Sequence, residues 1–426
     1  MKILVVGGGG REHALAWKLA CSPQAKKVWV APGNAGTALE PTLENVNLSA
    51  TDIEGLLAFA KENAVDLTVI GPEAPLVAGI VDTFEQAGLA CLGPSQYCAQ
   101  LEGSKRFCKD FFARYNIPTA AYQTFTQTQP AKAYVQSRSF PIVIKADGLA
   151  AGKGVVIAEN EAQAFATIDD MLEGNRFGNA GHQIVIEDFL QGEEASFIVL
   201  ADGESVVAFP TSQDHKARDE GDKGPNTGGM GAYTPAPVMT ESLIERALET
   251  VIRPTLAGLK SEGHIYRGFL YAGLMISPAG DINVLEFNCR FGDPETQPIM
   301  MRLTSDFAAL CLAATNGSMQ EVPVTFDPRP AIGVVMAAGG YPDAYEKYLP
   351  IILGEDDSDT TVKVFHAGTQ LNDAGQVVTN GGRVLCVTAL GEDLQQAQAR
   401  AYARAKHINW QGSFYRSDIG HRALNR

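Results

Sequence analysis

Apolar residues fall into short runs separated by glycine and polar stretches, and two spacings alternate along the first hundred positions. The unbroken run Ile-Leu-Val-Val at 3–6 predicts a buried strand over 2–6. Four glycines make a tight turn at 7–10, and Ala14, Leu15, Trp17, Lys18 and Leu19 set a helical period over 12–21. Apolar runs predict further strands over 27–30, 67–70 and 90–92, with helical spacing over 53–63 and 77–87. Strands that alternate with helices imply a doubly wound parallel sheet with right-handed crossovers. The loops at the carboxyl ends of such strands, here 7–10, 31–36, 71–76 and 93–95, form a binding crevice.

The pattern then changes. A helix is predicted over 103–114, ended by Asn116-Ile117-Pro118. A strand over 141–145, a glycine-rich loop, a strand over 155–158, a helix over 161–173 and a strand over 183–187 suit a small α+β lid at about 121–190. Hairpins follow, 195–201 with 206–210 and 268–276 with 282–287. Pro323, Pro328 and Pro330 mark a linker, after which strands over 332–337, 362–366 and 383–389 and a helix over 394–407 complete a mixed α/β region. The expected division is 1–102, 103–325 with its lid, and 326–426.

Composition narrows the function classes. The chain has 426 residues, 45% hydrophobic and 19% charged, as for a globular protein. A net charge of 34 − 49 = −15 argues against a general grip on nucleic acid or an anionic membrane, so any phosphate needs a local site. Seven scattered cysteines include no C-x-x-C pair, which points to buried thiols in a reducing cytoplasm. The N-terminal apolar run is too short for a secretory signal, and no stretch of ~18 apolar residues could span a membrane.

Candidate chemistry starts at Gly7-Gly8-Gly9-Gly10-Arg11-Glu12. A dinucleotide fingerprint fails here, because the third glycine position is Glu12 and the second strand offers no acid for a ribose. Amides at the helix start suit a phosphate or sugar phosphate better; a plain turn is the bland alternative. Lys145 and the loop Asp147-Gly148-Leu149-Ala150-Ala151-Gly152-Lys153-Gly154 lie between two strands; Gly154 stands where a Walker loop needs Ser or Thr. Such a hairpin can cover polyphosphate with its amides, Lys145 and Lys153 adding charge. Glu187-Asp188-Phe189-Leu190 ends a strand that offers backbone groups to an adenine edge, and Glu194 could reach ribose hydroxyls. In Glu286-Phe287-Asn288, alternation puts Glu286 and Asn288 on one strand face and Phe287 on the other. Two hard oxygen ligands suit magnesium, and the fork of Arg290 suits a carboxylate or phosphate.

Taken in order, these segments resemble the ATP-grasp carboxylate–amine ligases, and within them the phosphoribosylamine–glycine ligases. The likeness also takes in Ala31-Pro32-Gly33-Asn34-Ala35-Gly36-Thr37, Gly71-Pro72-Glu73-Ala74-Pro75-Leu76, Gly103-Ser104-Lys105, Asp214-His215-Lys216, Gly224 to Gly231, Cys289 to Glu295 and Gly381-Gly382-Arg383. It implies an ATP-grasp core between the N- and C-terminal domains, and ATP-dependent joining of glycine to 5-phosphoribosylamine through glycyl phosphate, in purine biosynthesis. It implies ATP with Mg2+ or Mn2+, and a cytoplasmic monomer. Lys105 and Lys145 become nucleotide lysines, Gly148, Gly152, Lys153 and Gly154 the phosphate cover, Glu187 to Leu190 the adenine hinge, and Glu194 the ribose ligand. Glu286 and Asn288 become metal ligands; Arg290, Asp214, His215 and Lys216 become catalytic contacts. Gly9, Gly10, Arg11, Glu73, Asp293 and Pro294 become substrate contacts. Many superfamily members carry a further acid twelve residues before the Glu286 position; Leu274 stands there, which leaves a second magnesium open.

Overall fold

The structure is a computed structural model, and it describes residues 1–148, 154–174, 182–354 and 359–426. Five parallel strands open the chain: Lys2–Gly7, Lys27–Pro32, Leu43–Asn45, Leu67–Ile70 and Cys91–Leu92. In chain order their sheet runs third, second, first, fourth, fifth. Helices cover both faces, so Ile3, Leu4, Val5 and Val6 are all buried and the strand reads as a continuous apolar run rather than an alternating one. Strand order reverses between Lys2–Gly7 and Leu67–Ile70, and the crevice of such a sheet opens at that point. The loop 7–10 and Glu73 follow these two carboxyl ends. Glu12 fills the space between them. Its Oε2 accepts the Gly9 N–H at 2.6 Å, and a Cβ on Gly71 would lie 2.1 Å from its carboxylate, so the approach requires glycine.

Several elements depart from expectation. The helix expected over 77–87 is two, Glu73–Val77 and Ile80–Gln86, parted by Gly79 at φ +90°. The helix expected over 103–114 begins at Lys105. An unforeseen helix, Gln96–Gly103, precedes it, and extended Ser104 caps the second helix by accepting the Phe107 N–H at 3.1 Å. The short strand Leu43–Asn45 carried no periodicity to announce it.

Three larger antiparallel sheets follow, besides two two-stranded ones, Ala217–Asp219 with Lys223–Asn226 and Thr369–Leu371 with Val377–Thr379. The lid sheet runs Tyr122–Phe125, Ile184–Asp188, Ile142–Ala146, Val155–Ala158, with helices Thr128–Gln136 and Glu161–Leu172 over its apolar face. The central sheet runs Val206–Ala208, Glu193–Ala201, Gly268–Ile276, Ile282–Asn288. Phe197, Leu274, Val284 and Phe287 of that sheet pack with Phe111 and Phe112 of helix Lys105–Tyr115. The last sheet runs Gln213–Asp214, Gly231–Thr234, Ala331–Ala337, Arg383–Leu390, Val362–His366, so strands that precede residue 326 complete it.

One irregularity positions the later site. Gly273 pairs with Glu286 but Leu274 pairs with Val284, which leaves Leu285 as the extra residue of a β-bulge. Strict alternation from buried Ile282 and Val284 would send Glu286 inward. The bulge instead leaves Leu285 and Glu286 both partly exposed, returns Phe287 to the core and turns Asn288 out again.

Phe287 is 2% exposed and meets the Phe112 ring edge-on at 5.1 Å. Phe287→Ala should therefore cost about 3–5 kcal/mol of stability, read from urea unfolding. A loss below about 1 kcal/mol would show that the ring is not the core element described.

Candidate active site

Lys145 enters from the lid strand Ile142–Ala146. Its ammonium lies 2.9 Å from Glu187 Oε1 and donates to the Leu285 carbonyl at 3.2 Å. That carbonyl belongs to the bulge residue. Lys109, on helix Lys105–Tyr115, approaches the other Glu187 oxygen at 3.1 Å and donates to Thr119 Oγ1 at 2.6 Å. Thr119 in turn donates to the Val284 carbonyl at 2.7 Å. Both Lys109 and Glu187 are 3% exposed at their side chains. The Glu187 side chain is thus turned inward onto two lysines, while Phe189 beyond it is exposed. Asp188 pairs with Arg138, whose Nε donates at 3.1 Å, and a cleft of about 430 Å3 lies against Asp188, Phe189 and Phe140.

Glu286 faces a ring of cations. Burial raises its pKa, but Lys216, Lys145, Lys105 and Arg290 outweigh this and hold it below the usual carboxylate range. Lys105 donates to the Gly148 carbonyl at 3.0 Å, and burial lowers its pKa. Glu194 pairs with Lys216 at 2.8 Å. Asp214 lies near both, its carboxyl pushed up to about 7 by burial against the pull of Lys216. Gly152 and Lys153 lie outside the described residues.

Arg290 joins the central strand to the crevice. It is 3.3 Å from Glu73 and 2.9 Å from Glu102, and donates to Asn288 Oδ1 at 3.2 Å. Burial, opposed by Arg290 and assisted by Glu73, pushes the Glu102 carboxyl up to about 7. Asp293 accepts from Gln297 Nε2 at 3.1 Å and lies 3.4 Å from Arg383. Arg383 also donates to the Gly228 carbonyl at 2.7 Å. The glycine turn packs against this group, since a Cβ on Gly10 would lie 2.6 Å from Gln297 Nε2. Arg11 donates to the Phe291 carbonyl at 3.3 Å. Gly229, at φ +114°, lets Pro294 approach within 2.5 Å of where its Cβ would be.

The expected residues therefore gather in three connected groups: Lys105, Lys145, Glu286, Asn288 and Arg290; Asp214, Lys216 and Glu194; and Gly9, Gly10, Arg11, Asp293 and Pro294, with Glu73 reaching Arg290 between them. Two expectations need correction. The Gly9 amide, expected to face a phosphate, is occupied by the Glu12 carboxylate. His215, expected as a catalytic contact, is fully buried and points elsewhere, because neighbouring residues of an extended segment face opposite sides. Its Nε2 accepts the Gly420 N–H at 3.0 Å and its Nδ1 faces Asp222 at 3.3 Å. His215, Asp222 and His421 lie close enough to enclose a cation. Both His215 nitrogens are already engaged, however, and Asp222 pairs with Arg416 at 3.0 Å and Arg422 at 2.9 Å. The cluster is a clasp on the C-terminal tail, not a metal centre.

Lys109, Glu102, Gln297 and Arg383 were not singled out as site residues from sequence. Lys109 could have been: positions 105, 108, 109 and 112 share a helix face, so a lysine there sits among Cys108 and Phe112. Glu102 directly precedes Gly103-Ser104-Lys105 but has no partner near it in sequence.

Comparison with known proteins agrees along the whole chain. Residues 1–102 match the phosphoribosylglycinamide synthetase N domain, 103–296 its ATP-grasp (A) domain and 331–422 its C domain. The phosphoribosylamine–glycine ligase of Yersinia pestis is 61% identical over 427 residues, covering 100% of both chains. That of Escherichia coli O157:H7 is 60% identical over 431 residues, covering 100% of this chain and 99% of the relative. The crystal structure of the Thermotoga maritima phosphoribosylamine–glycine ligase superposes with a TM-score of 0.86 at 36% identity, over 98% of this chain and 100% of that one.

The Lys109–Glu187 pair is nearly dry, whereas Lys216 and Glu194 are 33% and 37% exposed. Lys109→Met should cost about 2–3 kcal/mol of stability, because the buried Glu187 then keeps Lys145 alone and Thr119 Oγ1 loses its donor. Lys216→Met should cost no more than about 1 kcal/mol. Equal losses in urea unfolding would contradict the difference in burial.

Proposed function

The chain belongs to the phosphoribosylglycinamide synthetase family, and from that membership we propose the course of its reaction and the residues that carry it. The activity is ATP-dependent ligation of glycine to 5-phosphoribosylamine in purine biosynthesis. In the proposed course a glycine carboxylate oxygen attacks the γ-phosphorus of ATP, the bond to ADP breaks, and glycyl phosphate forms. The amine nitrogen of 5-phosphoribosylamine then attacks the acyl carbon. The carbon–oxygen bond to phosphate breaks, the nitrogen gives up a proton, and the products are glycinamide ribonucleotide and phosphate. No covalent bond to the protein is needed; the chain supplies position and charge.

The observation that carries this reading is the cation ring around Glu286. Among the described residues its carboxylate has no hydrogen-bond or ion-pair partner within bonding distance, and Asn288 Oδ1 stands beside it on the strand. One carboxylate and one amide oxygen are hard donors that fit a divalent cation such as magnesium or manganese. Bound there, the metal would neutralise phosphate charge. Lys105 and Lys145 would face the nucleotide phosphates, with the backbone of Glu187 to Leu190 at the adenine edge and Glu194 at the ribose. Glu194 would exchange Lys216 for the sugar hydroxyls. Gly148 to Gly154, with Gly152 and Lys153, would cover the phosphates. Leu274 supplies no metal ligand, being wholly buried in the core. Arg290 and Lys216 would hold the carboxylate and the transferring phosphoryl group, with Asp214 beside them. Gly10, Arg11, Asp293 and Pro294 would line the phosphoribosylamine side, where the crevice opens, and Glu73, beside Arg290, would face a substrate amine.

The same reading takes 1–102, 103–325 and 326–426 as domains, with a lid at about 121–190, and the protein as a cytoplasmic monomer. No helix among the described residues is long and apolar enough to cross a membrane.

ADP release should require glycine, phosphoribosylamine, ATP and magnesium together. Rapid release with an unrelated carboxylate, glycine being inert, would sink the assignment. Glu286→Gln keeps the size and removes the charge, so kcat should fall about 100-fold or more, the equivalent of about 2.7 kcal/mol, with the melting temperature little changed. Near-normal kcat at low magnesium would show that Glu286 is not the ligand.

A further inference from the structure

The two carboxylates on Arg290 are held very differently. Glu102 lies near the end of helix Gln96–Gly103 with its side chain 7% exposed. One oxygen is 2.9 Å from Arg290 Nη2, and the other accepts the Cys289 backbone N–H at 2.7 Å. The backbone bond fixes this carboxylate whatever Arg290 does. Glu73 is 31% exposed, lies at the point where the N-terminal sheet reverses its strand order, and meets Arg290 Nε at 3.3 Å. Its pKa is lowered by Arg290 and Arg11 against the effect of burial, so it is anionic. One partner is built in and the other is free to turn.

We propose that Glu102 is a positioning residue: it holds Arg290 in place so that Glu73 and Arg290 form a separable pair that receives the ammonium and the carboxylate of glycine. This rests on the glycine-ligase reading and deepens it. A zwitterion carries opposite charges close together and is the complement of an ion pair that can open. Opening costs least when the guanidinium keeps a second carboxylate, because a largely buried arginine left with only the Asn288 and Phe291 oxygens would be poorly compensated. Glu102 supplies that second carboxylate without reaching the substrate. The arrangement also separates roles along the chain: Arg290 lies two residues after Asn288, so a carboxylate on its fork is delivered beside the metal strand, while Glu73 draws the ammonium toward the N-terminal crevice.

The test is steady-state kinetics on the full chain, with glycine and ATP varied in turn, for wild type, E102Q and E73Q. Assayed above pH 7, where the Glu102 carboxyl is ionised, E102Q keeps the shape and an acceptor for the Cys289 N–H but removes the charge, so Arg290 falls back on Glu73 and closes the pair. The glycine KM should rise roughly tenfold or more, a charge-assisted contact being at stake. The ATP KM should stay within about twofold, since uniform binding of the nucleotide is untouched. A merely structural role would raise both together. E73Q should show the same split, because it removes the other carboxylate of the same pair. An unchanged glycine KM in E102Q, or parallel rises for glycine and ATP, overturns the inference and leaves the ligase reading intact. If E102Q does not fold, E73Q decides: an unchanged glycine KM there overturns the inference too. A wild type that does not turn over glycine overturns the ligase reading and this inference with it.

Discussion

The ammonium of Lys145, held between the Glu187 carboxylate and the Leu285 carbonyl, is where the lid sheet meets the central sheet. A buried lysine is costly unless its charge and hydrogens are met, so three elements must agree in position for this one to be satisfied. The lid strand brings Lys145, the neighbouring lid strand brings Glu187, and the bulged central strand brings the Leu285 carbonyl. Lys109 and Thr119 extend the same chain of contacts to the helix and loop beneath. The bulge also turns Glu286 out of the core. An unbulged strand would keep the sheet and lose the site.

Charge is arranged against the character of the whole chain. The protein carries a net −15, yet Lys105, Lys145, Lys216 and Arg290 surround Glu286, and Arg383 stands beside Asp293. Cations and carboxylates are interleaved in this hollow, so a small phosphate-bearing ligand finds local positive charge there that the net charge of the chain does not offer. Within the hollow each carboxylate has a distinct state. Glu187 is locked in ion pairs, Glu194 is lightly paired at a more exposed position, Asp214 and Glu102 titrate near neutrality, and Glu286 remains anionic with no direct partner among the described residues. The charges are unlike because their burial and neighbours are unlike, and the proposed roles follow those states.

The N-terminal sheet was legible because both of its faces are covered, so its strands show as apolar runs at 3–6 and 67–70 that need no partner to identify them. Glu286 and Asn288 were legible for a luckier reason: alternation is correct from 286 onward, and fails only when counted from 282, where the bulge intervenes. No local signal marks a bulge of this kind. His215 was misplaced because its partners, Gly420 and Asp222, are set by tertiary packing, and a strand of two residues gives no period from which to tell the faces apart. Glu102 and Lys109 were missed for the same reason in reverse: each is an ordinary charged residue in a helix until the fold brings Arg290 or Glu187 against it. The C-terminal sheet was only half foreseen, because Gln213–Asp214 and Gly231–Thr234 join it from far upstream.

The central claim is that this hollow activates a carboxylate by phosphoryl transfer. Glycine labelled with oxygen-18 in its carboxylate tests it in a single turnover experiment, with the released phosphate read by mass spectrometry or by its phosphorus resonance. If the carboxylate attacks the γ-phosphorus, one labelled oxygen crosses into phosphate and the other stays in the amide. Phosphate that emerges unlabelled while glycinamide ribonucleotide forms would contradict the account.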